Sequence, residues 1–76
     1  MITKKLFTTI NELQQVQKLA EHCPDPVAFH SPDSSIRIDA KSYIGIYALD
    51  FTQPVLVVSE NEEFHKKIAD IGTTVA

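Results

Sequence analysis

Ser42, the histidines His22, His30 and His65, the single Cys23, and the trio Tyr43, Ile44 and Tyr47 are the side chains of this 76-residue chain with chemistry to offer. Ser42 stands where a helix N-cap belongs. A phosphate there would meet free backbone N–H groups and the positive end of the helix dipole. The plainer reading is that the serine only caps the helix, worth about 1 kcal/mol. If Ile46 and Leu49 face the core, then Tyr43, Ile44 and Tyr47 project from the opposite side of the same helix. Two tyrosines and an isoleucine exposed together have the composition of a protein-binding patch. Alternatively, they cover the sheet edge or pack in a homodimer.

The histidines carry less. His22 ends a helix, where a cation suits the dipole. His30 ends a strand and is expected to face solvent, and His65 is expected on the polar side of an amphipathic helix. No pair of them has metal-ligand spacing, and adjacent His22 and Cys23 diverge on a helix, so no metal site is expected. With only two glycines there is no phosphate-cradling loop, and no Ser/His/Asp grouping stands out. Neither an enzyme nor a cofactor is expected.

Length and composition bound the rest. Residues 1–76 suffice for a single domain, with 43% hydrophobic and 22% charged residues, as in an ordinary globular protein. A formal net charge of −3 with scattered basic residues argues against nucleic acid. One cysteine allows no intrachain disulfide, and the start of the chain resembles neither a signal peptide nor a membrane span. The expected compartment is the cytoplasm.

The positioning elements follow from pattern. Residues 5–10 predict a first strand, and Asn11 with Gln14 predicts an N-cap and capping box for a first helix. Leu13, Val16, Leu19, Ala20 and Cys23 form its apolar face until Pro24 and Pro26 stop it. Residues 27–31, a turn over 31–34 and the alternation of Ile36, Ile38 and Ala40 predict a hairpin. A short helix over 42–49 follows, and the unbroken run 55–58 predicts a central strand preceded by Pro54. Ser59 and Glu62 predict a second capping box, opening a helix whose Phe64, Ile68 and Ile71 face the core. Gly72 is a natural helix-ending residue, and residues 73–76 are expected to fray. The sum is an α+β open-faced β-sandwich: four antiparallel strands with three helices on one face, βαββαβα. A ferredoxin-like βαββαβ module is the competing topology.

The stretch Asp39-Ala40-Lys41-Ser42-Tyr43-Ile44-Gly45-Ile46-Tyr47-Ala48-Leu49 resembles the regulatory-serine segment of HPr, the histidine-containing phosphocarrier family of the sugar phosphotransferase system. Element order is similar to that family up to about Gly72. Asn11 and Ser42 lie 31 residues apart, which aligns Asn11 with the family's phosphoryl-carrying histidine. The family's active loop reads approximately Gly-(Leu/Ile)-His-(Ala/Thr)-Arg-Pro-Ala. Here it is Thr9-Ile10-Asn11-Glu12-Leu13-Gln14-Gln15, with Asn11 for the histidine, Leu13 for the arginine and Gln14 for the proline. A phosphoryl acceptor needs a nucleophilic nitrogen and a stabilising cation, and neither is supplied.

The resemblance therefore implies an HPr-like, non-catalytic binding or regulatory protein. It would dock a protein partner through Tyr43, Ile44 and Tyr47, with phosphorylation of Ser42 as the switch. The alternatives are a working carrier using a displaced histidine, and a structural or dimerising module.

Overall fold

Thr3, Lys5 and Phe7 alternate with Ile2, Lys4 and Leu6, and that period of two makes the N-terminal segment a strand. The computed structural model describes residues 1–42, 45, 49 and 52–75. In it, β1 (Ile2–Leu6) leads into α1 (Ile10–Glu21), the hairpin β2 (Val27–His30) and β3 (Arg37–Asp39), then β4 (Val55–Ser59), α2 (Glu62–Lys67) and β5 (Thr73–Thr74). The fold is α+β. One antiparallel sheet has the order β3-β2-β4-β1-β5, with β4 at its centre.

Register divides the sheet into two faces. Thr3 pairs with Val57, Lys5 with Val55, Phe29 with both Val57 and Ile38, and Val27 with Ser59. These residues face the helices. The core adds Leu13, Val16, Ala20 and Cys23 from the first helix and its end, and Phe64 and Ile68 from α2 and its cap. Each large apolar side chain so buried contributes about 1.5–3 kcal/mol. The opposite rows are Asp39, Ala28, Val58 and Ile2, then Arg37, His30, Leu56 and Lys4. Among the described residues, no helix covers them.

Several expectations hold. The hairpin, the central strand, the apolar face of α1, and the inward Phe64 and Ile68 with half-buried Ile71 all appear. The 31–35 turn is held by Asp33, whose Oδ1 accepts from the hydroxyls of Ser31 (2.8 Å) and Ser35 (2.7 Å) and from the Ser35 N–H (3.0 Å). Those donors, the Ser35 hydroxyl foremost, bring its carboxyl down to about 2.

Other boundaries move. The first strand ends at Leu6 rather than residue 10, because Thr8 and Thr9 turn their hydroxyls to the next helix. Residues 73–75 do not fray: Gly72 takes a left-handed φ of 66° and turns the chain so that Thr73 and Thr74 pair with Leu6 and Lys5. The Val75 N–H then donates to the Lys4 carbonyl over 2.8 Å. The sheet thus has five strands where four are expected. Gly72 has left α2 by four residues, since the helix is capped at Ile68. Among the described residues there are two helices. The expected helix over 42–49 falls largely on residues outside them, as do Tyr43, Ile44 and Tyr47. No helix of the described residues is long and apolar enough to cross a membrane.

Candidate functional site

Threonine and glutamate spaced three apart form a capping box when the hydroxyl takes the later N–H and the carboxylate reaches back. Thr9 and Glu12 satisfy that pattern. Thr9 Oγ1 accepts from the Glu12 N–H (3.3 Å), while Glu12 Oε1 accepts from the Thr8 N–H and the Thr8 hydroxyl, each at 2.8 Å. The expected cap of Asn11 with Gln14 is therefore overturned. α1 starts two residues earlier, and the ionised Glu12 closes its positive end better than a neutral amide can. Asn11 lies exposed within the first turn, and Leu13 is wholly buried in the core.

The carboxyl of Glu12 is held below its ordinary value, first by the Thr8 N–H, then by the Thr8 hydroxyl, with the Thr9 and Gly72 N–H groups adding to it. Lys5 lies close by. Its side chain is 0% exposed, and Nζ donates to Thr74 Oγ1 (2.9 Å) and the Ala69 carbonyl (3.3 Å). Burial lowers the Lys5 ammonium below its usual range, opposed by the charges of Asp70 and Glu12. The helix start is thus joined to the Gly72 turn by the protein's own charges. An incoming phosphate would meet the Glu12 carboxylate, and the Lys5 ammonium is enclosed.

Ser42 is exposed and anchored. Its N–H donates to the Asp39 carbonyl (3.0 Å), and its Oγ accepts from the Gly45 N–H (3.2 Å), the bond expected of an N-cap. A Cβ on Gly45 would come within 2.8 Å of Ile38 Cγ2, so a glycine lets this segment lie against β3. Lys41 bonds on both sides of the turn: its N–H donates to Asp39 Oδ1 (2.9 Å), and its Nζ to the Cys23 carbonyl (3.3 Å). Tyr43, Ile44 and Tyr47, the expected docking residues, are outside the described residues.

The histidines separate. His22 is the exposed C-cap of α1, and half-buried His30 lies on the helix-free face of the sheet. His65 is not on a polar side, as its helical position suggests. It is 9% exposed, with Nδ1 at 2.6 Å from Thr3 Oγ1 and Nε2 at 2.8 Å from the Ser59 carbonyl. A carbonyl only accepts, so Nε2 carries the hydrogen, and in the neutral ring Nδ1 accepts from the Thr3 hydroxyl. This displaces Ser59 from the second capping box. Ser59 is the last residue of β4, and Asn61 caps α2, its Oδ1 accepting from the Phe64 N–H (2.8 Å). Among the described residues, no group of three or more His, Cys, Asp or Glu side chains could hold a metal ion.

Sequence reasoning missed Lys5, His65 and Gln17. Gln17 is 2% exposed, and its Nε2 has no hydrogen-bond partner among the described residues. Alternation of Thr3, Lys5 and Phe7 was the available signal for Lys5. For Gln17 the signal was its place one turn after Leu13. A depression of about 580 Å³ opens at one end of the helix-free face, near Ala28, Arg37, Asp39 and Val58. No known family model, curated protein or solved structure matches the chain.

Proposed function

We propose that the protein is an HPr-like, non-catalytic binding or regulatory protein rather than a phosphoryl carrier. The observation that carries this reading is Glu12 on the N-terminus of α1: its carboxylate takes the N–H and hydroxyl of Thr8, beside an Asn11 that has no nucleophilic nitrogen. Phosphate would be repelled there, and an amide cannot accept it. The order of strands and helices, with an antiparallel sheet carrying β4 at its centre, is compatible with that scaffold. Exposed Ser42 remains the candidate phosphorylation site. Tyr43, Ile44 and Tyr47 remain the candidate docking residues for a protein partner in the cytoplasm. Phosphorylation would add about −1.5 to −2 charge beside that apolar trio.

A carrier using His65 is the weaker reading, because both ring nitrogens of His65 are engaged within the fold. The test has two arms: the protein with phosphoenolpyruvate and the general phosphotransferase of the system, and the protein with HPr-directed serine kinase and ATP, each followed by mass mapping. A stable adduct confined to Ser42 is expected. An acid-labile adduct on a histidine would restore the carrier reading, and no adduct in either arm would leave a plain binding module.

A further inference from the structure

The helix-free face of the sheet carries opposite charges on edge strand β3 and apolar side chains at its centre. Its two outward rows run Asp39–Ala28–Val58–Ile2 and Arg37–His30–Leu56–Lys4 across the strands. Ile2 is 63% exposed, and Ala28, Leu56 and Val58 remain half-buried with no described helix above them. Asp39, Arg37 and Lys4 stand at the ends of the rows, and half-buried His30 lies within the second. Exposed Arg37 and Asp39 are on edge strand β3, and Lys4 is on β1. We propose that this face pairs with a second copy of the chain, through a two-fold axis lying between the sheets and perpendicular to the strands.

Charge selects both occupant and orientation. A two-fold perpendicular to the strands lays each row on the other row of its partner. Asp39 then meets the partner's Arg37 and Arg37 the partner's Asp39, while Val58 meets the partner's Leu56 across the apolar centre. A two-fold parallel to the strands would instead set Arg37 over the partner's Lys4, twice, and is disfavoured. Both charged residues keep capacity for an intermolecular bond. Asp39 gives Oδ1 to the Lys41 N–H, and Arg37 uses its Nε on the Ser34 carbonyl, leaving Oδ2 and the terminal guanidinium nitrogens. Sheets so packed lie about 10 Å apart with strands near −30°. The depression of about 580 Å³ beside Asp39 gives the incoming guanidinium room. The strands are two to five residues long and about 4.8 Å apart, a footprint below that of standard specific interfaces, so the pairing is a weak, concentration-dependent one.

Sedimentation equilibrium of the whole chain from micromolar to millimolar concentration tests the pairing. A monomer–dimer equilibrium is expected, and Val58→Glu should abolish it while leaving the circular dichroism spectrum unchanged. Arg37→Asp and Asp39→Arg alone should each weaken the dimer about tenfold, since symmetry applies each change twice. The double reversal Arg37→Asp with Asp39→Arg should recover wild-type association, and it perturbs no core residue. A monomer at every concentration overturns the proposal, as does a dimer indifferent to Val58→Glu. A double reversal that fails to rescue overturns the stated two-fold. None of these readouts depends on whether Ser42 is phosphorylated.

Discussion

The ammonium of Lys5 donates to the hydroxyl of Thr74 over 2.9 Å, joining the second-to-last residue of β1 to the last residue of β5 from inside the sheet. A lysine closed from solvent that bonds only neutral oxygens is held at a cost to its charged form, and the cost is pH-dependent.

Burial lowers the folded-state pKa of Lys5 below 10.5. The native state therefore releases this proton before the unfolded state does. Stability from this residue rises with pH between the lowered folded value and 10.5, and the full penalty is present below that window. Urea unfolding from neutral pH to about pH 10.5 checks it. Wild type should gain on Lys5→Met as pH increases. Parallel curves for the two proteins would mean that the ammonium is not desolvated.

Thr9→Ala should cost about 1 kcal/mol, the ordinary loss of an N-cap. Asn11→Ala, an exposed change within the helix, should stay within about 0.5 kcal/mol. Thermal unfolding of the pair separates the observed cap from the one that sequence suggested. Glu12 has its carboxyl held below 4.5, so its stabilisation is complete above that pH and fades as pH falls through the folded value. Glu12→Gln should remove that part of the acid dependence. An equal loss in both Ala variants would place the cap elsewhere.

Thr3→Val leaves His65 Nδ1 buried without its hydroxyl and should destabilise by about 1–3 kcal/mol. Thr3→Ser keeps the donor and should lose less. Nitrogen-15 chemical shifts of the neutral ring should report the Nε2–H tautomer in wild type. An Nδ1–H ring would contradict the bond to the Ser59 carbonyl.

Gln17→Met removes an amide nitrogen that has no partner among the described residues while keeping the side chain's length. It should leave stability unchanged or raise it by about 1 kcal/mol. A loss of several kcal/mol in denaturant titration would reveal a partner for that nitrogen.

Gly72→Ala should cost more than about 1 kcal/mol, because its φ of 66° strains an L side chain. Its new Cβ would also come within 2.9 Å of the Leu6 carbonyl oxygen. Calorimetry should show a lower Tm, and Gly72→Asn, which tolerates the left-handed region better, should still clash but lose less from the backbone.

The parts of this fold that were legible in the sequence are those with a long repeat. Leu13, Val16 and Ala20 on α1 and the apolar run of β4 each extend over several residues; Ile38 and Ala40 turn inward as the alternation predicts, whereas Ile36 lies exposed and outside β3. Caps were misread because overlapping frames all carry capping residues: Asn11 with Gln14 and Thr9 with Glu12 fit the same template. Charge decides between them, since a carboxylate suits the helix dipole. Ser59 lost its frame to the sheet, where it pairs with Val27 and donates its N–H to the Met1 carbonyl. β5 was invisible because two residues show no period, and it depends on a turn at Gly72 distant from its partner in sequence. At the candidate site, that Asn11 offers no nucleophilic nitrogen was readable from residue type. The occupation of the helix end by Glu12, and the enclosure of Lys5 beside it, needed three-dimensional proximity.

The two residues of β5 have a consequence for solubility. By pairing with Leu6 and Lys5 they occupy the outer backbone of β1, which would otherwise offer an open row of amides and carbonyls along an Ile- and Leu-bearing strand. Such a row is a template for further chains. The opposite border, β3, is three residues long and carries Arg37 and Asp39, so it recruits poorly. Removing residues 73–75 would uncover that border of β1 and take Thr74 away from the buried ammonium of Lys5.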